Sequence, residues 1–209
     1  MCIRDRDLSD VILVGHSQGG WPVTRAALNR PDLVSCLVNV DTVMVPDDME
    51  LMGEALGFLM YTSRFVDPPE GPTVPSSRRA MALRYPTGNN ITEAKAERVV
   101  AQYRSDKTAQ ARADMAALRI TPLHPSFGKL KRQAHADIAA GGLKVKSVVI
   151  WGELDPQVPL GLGKLFHRML VDAGVDTEFV VIEGTGHAPF IEQPAEFNKA
   201  VTDNCLRAE

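Results

Sequence analysis

A short apolar, β-branched run, Asp10-Val-Ile-Leu-Val14, passes without a spacer into Gly15-His-Ser-Gln-Gly-Gly20, and Trp21 to Asn29 then reads as a helix. Few backbones satisfy that order. A buried strand must end in a turn sharp enough to send the chain straight into a helix. In a G-x-S-x-G turn of this kind the central serine is forced into a strained conformation that lifts its hydroxyl above the sheet. Ser17 is therefore the candidate nucleophile. Glycine has no Cβ to collide across the turn, and Gly15 and Gly19 are expected to meet that need. The same turn aims the backbone N–H of Gln18 and the N-terminus of the following helix at an oxygen that gains charge in acyl transfer, making half of an oxyanion hole.

Strand and helix signals recur on either side of a long interruption. Leu37-Val-Asn-Val40 reads as a second buried strand, Ser147-Val-Val-Ile-Trp151 as a third and Glu178-Phe-Val-Val-Ile182 as a fourth. Leu162 to Ala173 and Pro194 to Leu206 read as helices. This alternation predicts an α/β class with a parallel sheet. Between about Pro46 and Leu143 the strand pattern stops, and helical stretches alternate with breaks at Asp67-Pro-Pro-Glu-Gly-Pro72, Tyr85-Pro-Thr-Gly88 and Thr121-Pro-Leu-His-Pro125. Residues 46–143 are thus expected to form a helical insertion between core segments 1–45 and 144–209. Within it Asn90 or Thr92 is expected to cap a helix to about Arg104, and Thr108 another to about Arg119.

A serine hydroxyl is a weak nucleophile at neutral pH. It needs a histidine base, and the histidine needs a carboxylate that fixes its tautomer. In Trp151-Gly-Glu-Leu-Asp155-Pro-Gln-Val-Pro159 an aspartate lies just past a buried strand, so Asp155 is the candidate acid. Glu153 and Asp41, each near a strand end, are its competitors. Gly184-Thr-Gly-His187-Ala-Pro follows the last strand, and its glycines let the loop return an imidazole to the sheet edge, so His187 is the candidate base. For His16, His124, His135 and His167 a surface or packing role is expected.

Composition narrows the partners. The chain has 209 residues, is 44% hydrophobic and carries a net charge of −3, which fits a globular domain with a sizeable core and offers no basic footprint for nucleic acid. No 18-residue apolar run spans a bilayer. Cys2, Cys36 and Cys205 show neither zinc-ligand nor disulfide-framework spacing, which points to a reducing, cytoplasmic setting with no metal. No motif calls for a cofactor, and a small-molecule substrate is the partner that remains.

With the ordered set Gly15-His-Ser-Gln-Gly19, Gly152-Glu-Leu-Asp155-Pro-Gln-Val-Pro159 and Gly186-His187-Ala-Pro-Phe-Ile-Glu-Gln-Pro194, the chain resembles the α/β-hydrolase superfamily from strand five to the C-terminus. The resemblance implies a Ser17–Asp155–His187 triad and a helical cap over the active site that sets substrate choice. The capped layout, and Asn90-Ile-Thr-Glu93 leading into a helix with Arg98, look similar to hydrolases of aromatic meta-cleavage products. That implies C–C bond cleavage and a substrate contact for Arg98. Such enzymes commonly have a tryptophan after the catalytic histidine, where this chain has Ala188, and Arg98 falls about one position off the expected cap arginine. Esters and lactones stand beside dienoates as substrates. From Arg78 to Arg132 there are twelve Lys/Arg against four Asp/Glu, a balance that suits an anionic substrate or, as the other reading, solvated helix faces.

In the superfamily the nucleophile usually follows four strands. The resemblance therefore implies that strands one to four, and with them the second oxyanion N–H, are missing here. The opening Met1-Cys-Ile-Arg-Asp-Arg6 also resembles translated sequencing-adapter sequence. An apolar strand edge left open at Val11 is expected to make the 209 residues aggregate. The rival expectation from another class is a ligand-binding or receptor protein that keeps the fold and triad and turns over little.

Overall fold

The structure, a computed structural model, describes residues 8–62, 71–118 and 125–206. Four strands, β1 (Val11–His16), β2 (Val34–Val40), β3 (Lys146–Gly152) and β4 (Thr177–Ile182), form one parallel sheet in the order β1-β2-β3-β4. Each predicted strand is present, extended by one to three residues at one or both ends.

The buried strands β2 and β3 explain how the sheet sorts its neighbours. Side chains alternate across a strand, so Leu37, Val149 and Trp151 face one side and Cys36, Val38, Val40, Val148 and Ile150 the other. The first side is covered by α1 (Gly20–Asn29), α6 (Pro125–Ala139) and α7 (Leu160–Asp172), the second by the closing helix α9 (Pro194–Cys205), which follows the single turn α8 (Pro189–Glu192). Helices on both faces are what a parallel sheet needs, because its strands are apolar on both sides. Phe166, Leu170 and Trp151 are wholly buried in the first layer, and each such side chain contributes about 1.5–3 kcal/mol of transfer free energy.

The insertion is helical as expected: α2 (Met49–Tyr61), α3 (Val74–Arg84), α4 (Glu93–Arg104), α5 (Asp106–Ala117) and then α6. Thr92 caps α4, its side chain accepting from Lys95 N at 3.2 Å. Two details differ from expectation. Ser105, not Thr108, caps α5, with Thr108 N donating to Ser105 Oγ at 3.4 Å, because the chain is still extended at Ser105 and already helical at Thr108. Helix α6 lies inside the sequence limits of the insertion yet buries Ala134 and Ile138 in the first core layer against α1 and α7. It thus serves as the crossover helix between β2 and β3. The breaks at 67–70 and 121–124, Arg119, the opening hexapeptide and Cys2 lie outside the described residues.

Cys36 on β2 and Cys205 at the end of α9 are bridged by a disulfide, with their Cα atoms 5.6 Å apart across 169 residues. This corrects the expectation of unpaired thiols. Pairing follows from α9 lying back across β2 and β3, and no spacing rule reports that. The bridge also removes the ground for a reducing setting, since such bonds persist where the surroundings are oxidising. No helix among the described residues is long and apolar enough to cross a membrane.

Strand β1 forms one edge of the sheet, and Val14 on it is 49% exposed. Closing so long a loop restricts the unfolded chain, so Cys205→Ser is expected to lower unfolding free energy by about 2–5 kcal/mol. Urea denaturation of the oxidised wild type and the variant checks this, and a reductant should bring the wild type down to the variant.

Candidate active site

All four strands run the same way, so the loops leaving their C-terminal ends meet at one edge. There Ser17 opens a 3-10 turn, Ser17–Gly19, between β1 and α1, with φ 53°. Among the described non-glycine residues only Asp10, Ser17 and Asp41 have positive φ. Such a conformation costs about 1–3 kcal/mol and persists only where its surroundings impose it. Here Ser17 O accepts from Val43 N at 3.3 Å and Thr42 Oγ1 at 3.2 Å, which ties the elbow to the segment after β2. The turn also leaves Gln18 among the opening residues of the helix, whose first N–H groups have no partner within it.

The steric demand is not where the pentapeptide rule puts it. A Cβ at Gly15 would lie 2.3 Å from Val23 Cγ2 and 2.6 Å from Gly19 O, whereas one at Gly19 would meet nothing within 4 Å. The second tight position is Gly20, where a Cβ would lie 1.8 Å from Thr42 Oγ1. Gly19 faces open space, while Gly20 is pressed against the loop after β2, a contact set by tertiary packing.

Asp155 and His187, from the loops after β3 and β4, are brought together. His187 Nδ1–H donates to Asp155 Oδ2 at 2.8 Å, and both residues are 5% exposed. Asp155 Oδ1 accepts from Gln157 N at 2.8 Å and Val158 N at 3.1 Å, so the carboxylate is held at both oxygens. A proton fixed on Nδ1 leaves Nε2 as the lone-pair nitrogen. Ser17 Oγ makes no hydrogen bond to His187 in this structure. Glu153 is exposed and accepts from Gly184 N at 2.9 Å, so it shapes the histidine loop. Asp41 is wholly buried beside the pair.

His16 does more than pack. Its Nε2–H donates to His187 O at 2.5 Å, and its ring lies 4.7 Å from that of His187 and 4.9 Å from that of Phe190. Burial, then the neighbouring His187, hold its imidazole below the usual value. His135 donates Nε2–H to Met44 O at 2.7 Å, and His167 stacks on Phe179 at 5.4 Å. His124 lies outside the described residues. Ligand atoms of His16, Asp41 and His187 lie within 4.8 Å of one another, the grouping among the described residues that could converge on a cation. One nitrogen of each ring in it is already committed, to His187 O and to Asp155.

The insertion grips the histidine loop. His187 N donates to Arg84 O at 3.1 Å, and Gly186 N donates to Glu192 Oε1 at 2.7 Å. Glu192 Oε2 in turn accepts from Thr87 N at 3.2 Å and Thr87 Oγ1 at 2.9 Å. Asn90 Nδ2 donates to Ile191 O, so Asn90 is a strut between insertion and loop, and Thr92 alone caps α4. A Cβ at Gly186 would lie 2.1 Å from Arg84 O, so only glycine lets the two segments approach this closely.

Residues 3–200 match the alpha/beta hydrolase family. The chain belongs to that family. Among solved structures it is similar to CumD, a meta-cleavage product hydrolase from Pseudomonas fluorescens IP01, at 18% identity and a TM-score of 0.66, covering 96% of this chain and 66% of that one. It is similar too to the 2-hydroxy-6-oxo-6-phenylhexa-2,4-dienoate hydrolase BphD from Rhodococcus sp. strain RHA1, at 16% identity and a TM-score of 0.61, covering 97% and 66%. A serine hydrolase from the polyaromatic-hydrocarbon-degrading bacterium Cycloclasticus zankles matches at 16% identity and a TM-score of 0.65, covering 99% and 68%. The chain thus spans just under two thirds of the first two, and likeness at this identity speaks for the fold. No curated protein matches it in sequence.

In this α/β-hydrolase core a cavity of about 450 Å³ opens beside Gln18, between the elbow, α2, α6 and the loop after β3. Its wall is mainly apolar, from Trp21, Val43, Met52 and Leu59, with Lys131 and Arg132 of α6 on one side. Lys131 is 8% exposed and donates to Asp47 Oδ1 at 2.5 Å, which holds that carboxyl below its usual range. Arg132 makes no ion pair among the described residues. Arg98, the residue expected to touch substrate, is exposed on α4 and does not line this cavity. The resemblance located a basic cap residue by spacing from Asn90, but the turn of α4 carries Arg98 to the outside, and the cations that reach the cavity come from a core helix.

The glycine geometry is testable by thermal melting. Gly15→Ala and Gly20→Ala are each expected to cost about 1–3 kcal/mol through overpacking. Gly19→Ala is expected to stay within about 0.5 kcal/mol of wild type.

Proposed function

We propose that this α/β-hydrolase chain is a serine hydrolase acting through Ser17, His187 and Asp155. The observation that carries the reading is the buried 2.8 Å contact between His187 Nδ1 and Asp155 Oδ2, at the sheet edge where the strained Ser17 stands at the mouth of α1. In the proposed cycle His187 Nε2 takes the Ser17 proton, and Ser17 Oγ attacks a carbonyl carbon. The Gln18 N–H stabilises the resulting oxyanion, and the protonated imidazole delivers its proton to the leaving group. Water, deprotonated by the same His187, then releases the acyl group. Asp155 keeps the imidazole in the tautomer that leaves Nε2 free and stabilises the imidazolium between the two proton transfers.

The cavity beside Gln18 supports a small substrate with an apolar body and an anionic end: a carboxylic ester, a lactone, or a dienoate cleaved at a C–C bond. The apolar wall offers desolvation, and Arg132, exposed and in no ion pair among the described residues, offers a charge. The fold relatives that act on meta-cleavage products favour the dienoate among these classes.

A fluorophosphonate probe should label the wild type at one site per chain, and Ser17→Ala should abolish labelling. His187→Ala should slow it by about 10⁴-fold or more. Labelling that persists in Ser17→Ala would overturn the reading, and a folded chain that takes no probe would turn attention to ligand binding without turnover.

Substrate choice is tested separately. Arg132→Gln should raise KM for a carboxylate-bearing ester by about tenfold or more, the worth of one charge-assisted hydrogen bond, with little change for a neutral ester of equal size. Steady-state kinetics with the matched pair of esters decides this.

A further inference from the structure

Asp41 is used by none of the steps above, yet it has the marks of a site residue. It follows β2 at the sheet edge, has φ 42° without being glycine, and is completely buried. Its Oδ1 accepts from Gly152 N at 2.8 Å, at the end of the strand that leads to Asp155. Its Oδ2 is buried with no hydrogen-bond partner. A carboxylate oxygen and a ring nitrogen of His187 lie within 4.8 Å of each other, so a shift of under about 2 Å would bring them to hydrogen-bond range.

We infer that Asp41 is a reserve acid for His187, a second carboxyl beside the imidazole that becomes its charged partner when Asp155 is neutralised. It acts through His187, so it is a positioning residue. While Asp155 is ionised, burial first and the Asp155 charge second push the Asp41 carboxyl well above the usual carboxylate range, and two charges do not share the site. A protonated Asp41 still accepts from Gly152 N, and a buried oxygen without a partner costs less on a neutral carboxyl than on a charged one. When Asp155 loses its charge, the larger repulsion on Asp41 is removed, while burial and the charge of Glu192 still act on it. A cationic His187 then favours the ionised form, and Oδ2, which has no other partner, is the oxygen free to accept from the imidazole.

The inference rests on the triad reading only for its kinetic arm, so the test has two. Four proteins are compared: wild type, Asp41→Asn, Asp155→Asn and the double variant. Asparagine retains an acceptor for Gly152 N, and melting temperatures confirm folding. Should the double variant not fold, Asp41→Thr, which keeps a hydroxyl acceptor, replaces Asp41→Asn. In the first arm the downfield Nδ1–H proton resonance of His187 is followed by NMR. It is expected to survive in Asp155→Asn and to vanish in the double variant. In the second, fluorophosphonate labelling is expected to fall about 10²-fold in Asp155→Asn and about 10²-fold further in the double variant, together matching the loss typical of a triad without its acid.

Loss of the resonance already in Asp155→Asn, or a double variant identical to Asp155→Asn in the resonance or in a measurable labelling rate, overturns the reserve role. If the wild type takes no probe, the hydrolase reading fails by itself, and the NMR arm still decides for or against Asp41.

Discussion

Everything at the site depends on the four strands being parallel and ending together. Because each loop at that edge leaves a strand of the same sheet, residues as distant in sequence as Ser17, Asp41, Asp155 and His187 are delivered to one place. The strands are apolar on both faces, and a slip of one residue would carry Val38, Val148 and Ile150 into the layer packed by α1, α6 and α7, and Leu37 and Val149 into the layer packed by α9. The core that secures this arrangement is therefore also what positions the chemistry.

On that edge, polar contacts hold a strained serine and two buried carboxyls. Ser17 is kept in its left-handed conformation by bonds to its carbonyl from Thr42 and Val43, while Gly15 and Gly20 let α1 close down on the turn. The carboxyls are separated by environment. Asp155 receives three hydrogen bonds, one from the imidazole and two from backbone N–H groups. Asp41 receives one and is otherwise surrounded by protein, which favours the neutral form. Two acids thus lie near one imidazole in unequal surroundings.

The insertion is joined to this machinery and does not merely cover it. Arg84, Thr87 and Asn90 bond to the loop that carries His187, with Glu192 as the buried bridge. The segment Tyr85–Asn90 is thus tied directly to the chain around His187. The cavity wall draws on the core helix α6 as well as on α2, and Phe127 in it packs its ring 4.8 Å from that of Trp21.

The sequence by itself determined the α/β class, the order of strands and helices, the elbow serine and the pairing of Asp155 with His187. Each of these is local: a period of two in apolar runs, a glycine-rich turn after a strand, an acidic and an imidazole loop after later strands. The tertiary structure alone decided what depends on elements meeting across the sheet. The Cys36–Cys205 bridge needs α9 to lie back on β2, and the demand for glycine at position 20 needs Thr42 against the elbow. Arg98 on the outside of α4, with Lys131 and Arg132 facing the cavity, follows from how the helices pack and not from charge count. The second carboxyl beside His187 was visible only as one of several acids near strand ends. Its burial, its single hydrogen bond and its distance from the imidazole are properties of the folded chain, because burial and proximity are set by residues more than a hundred positions away.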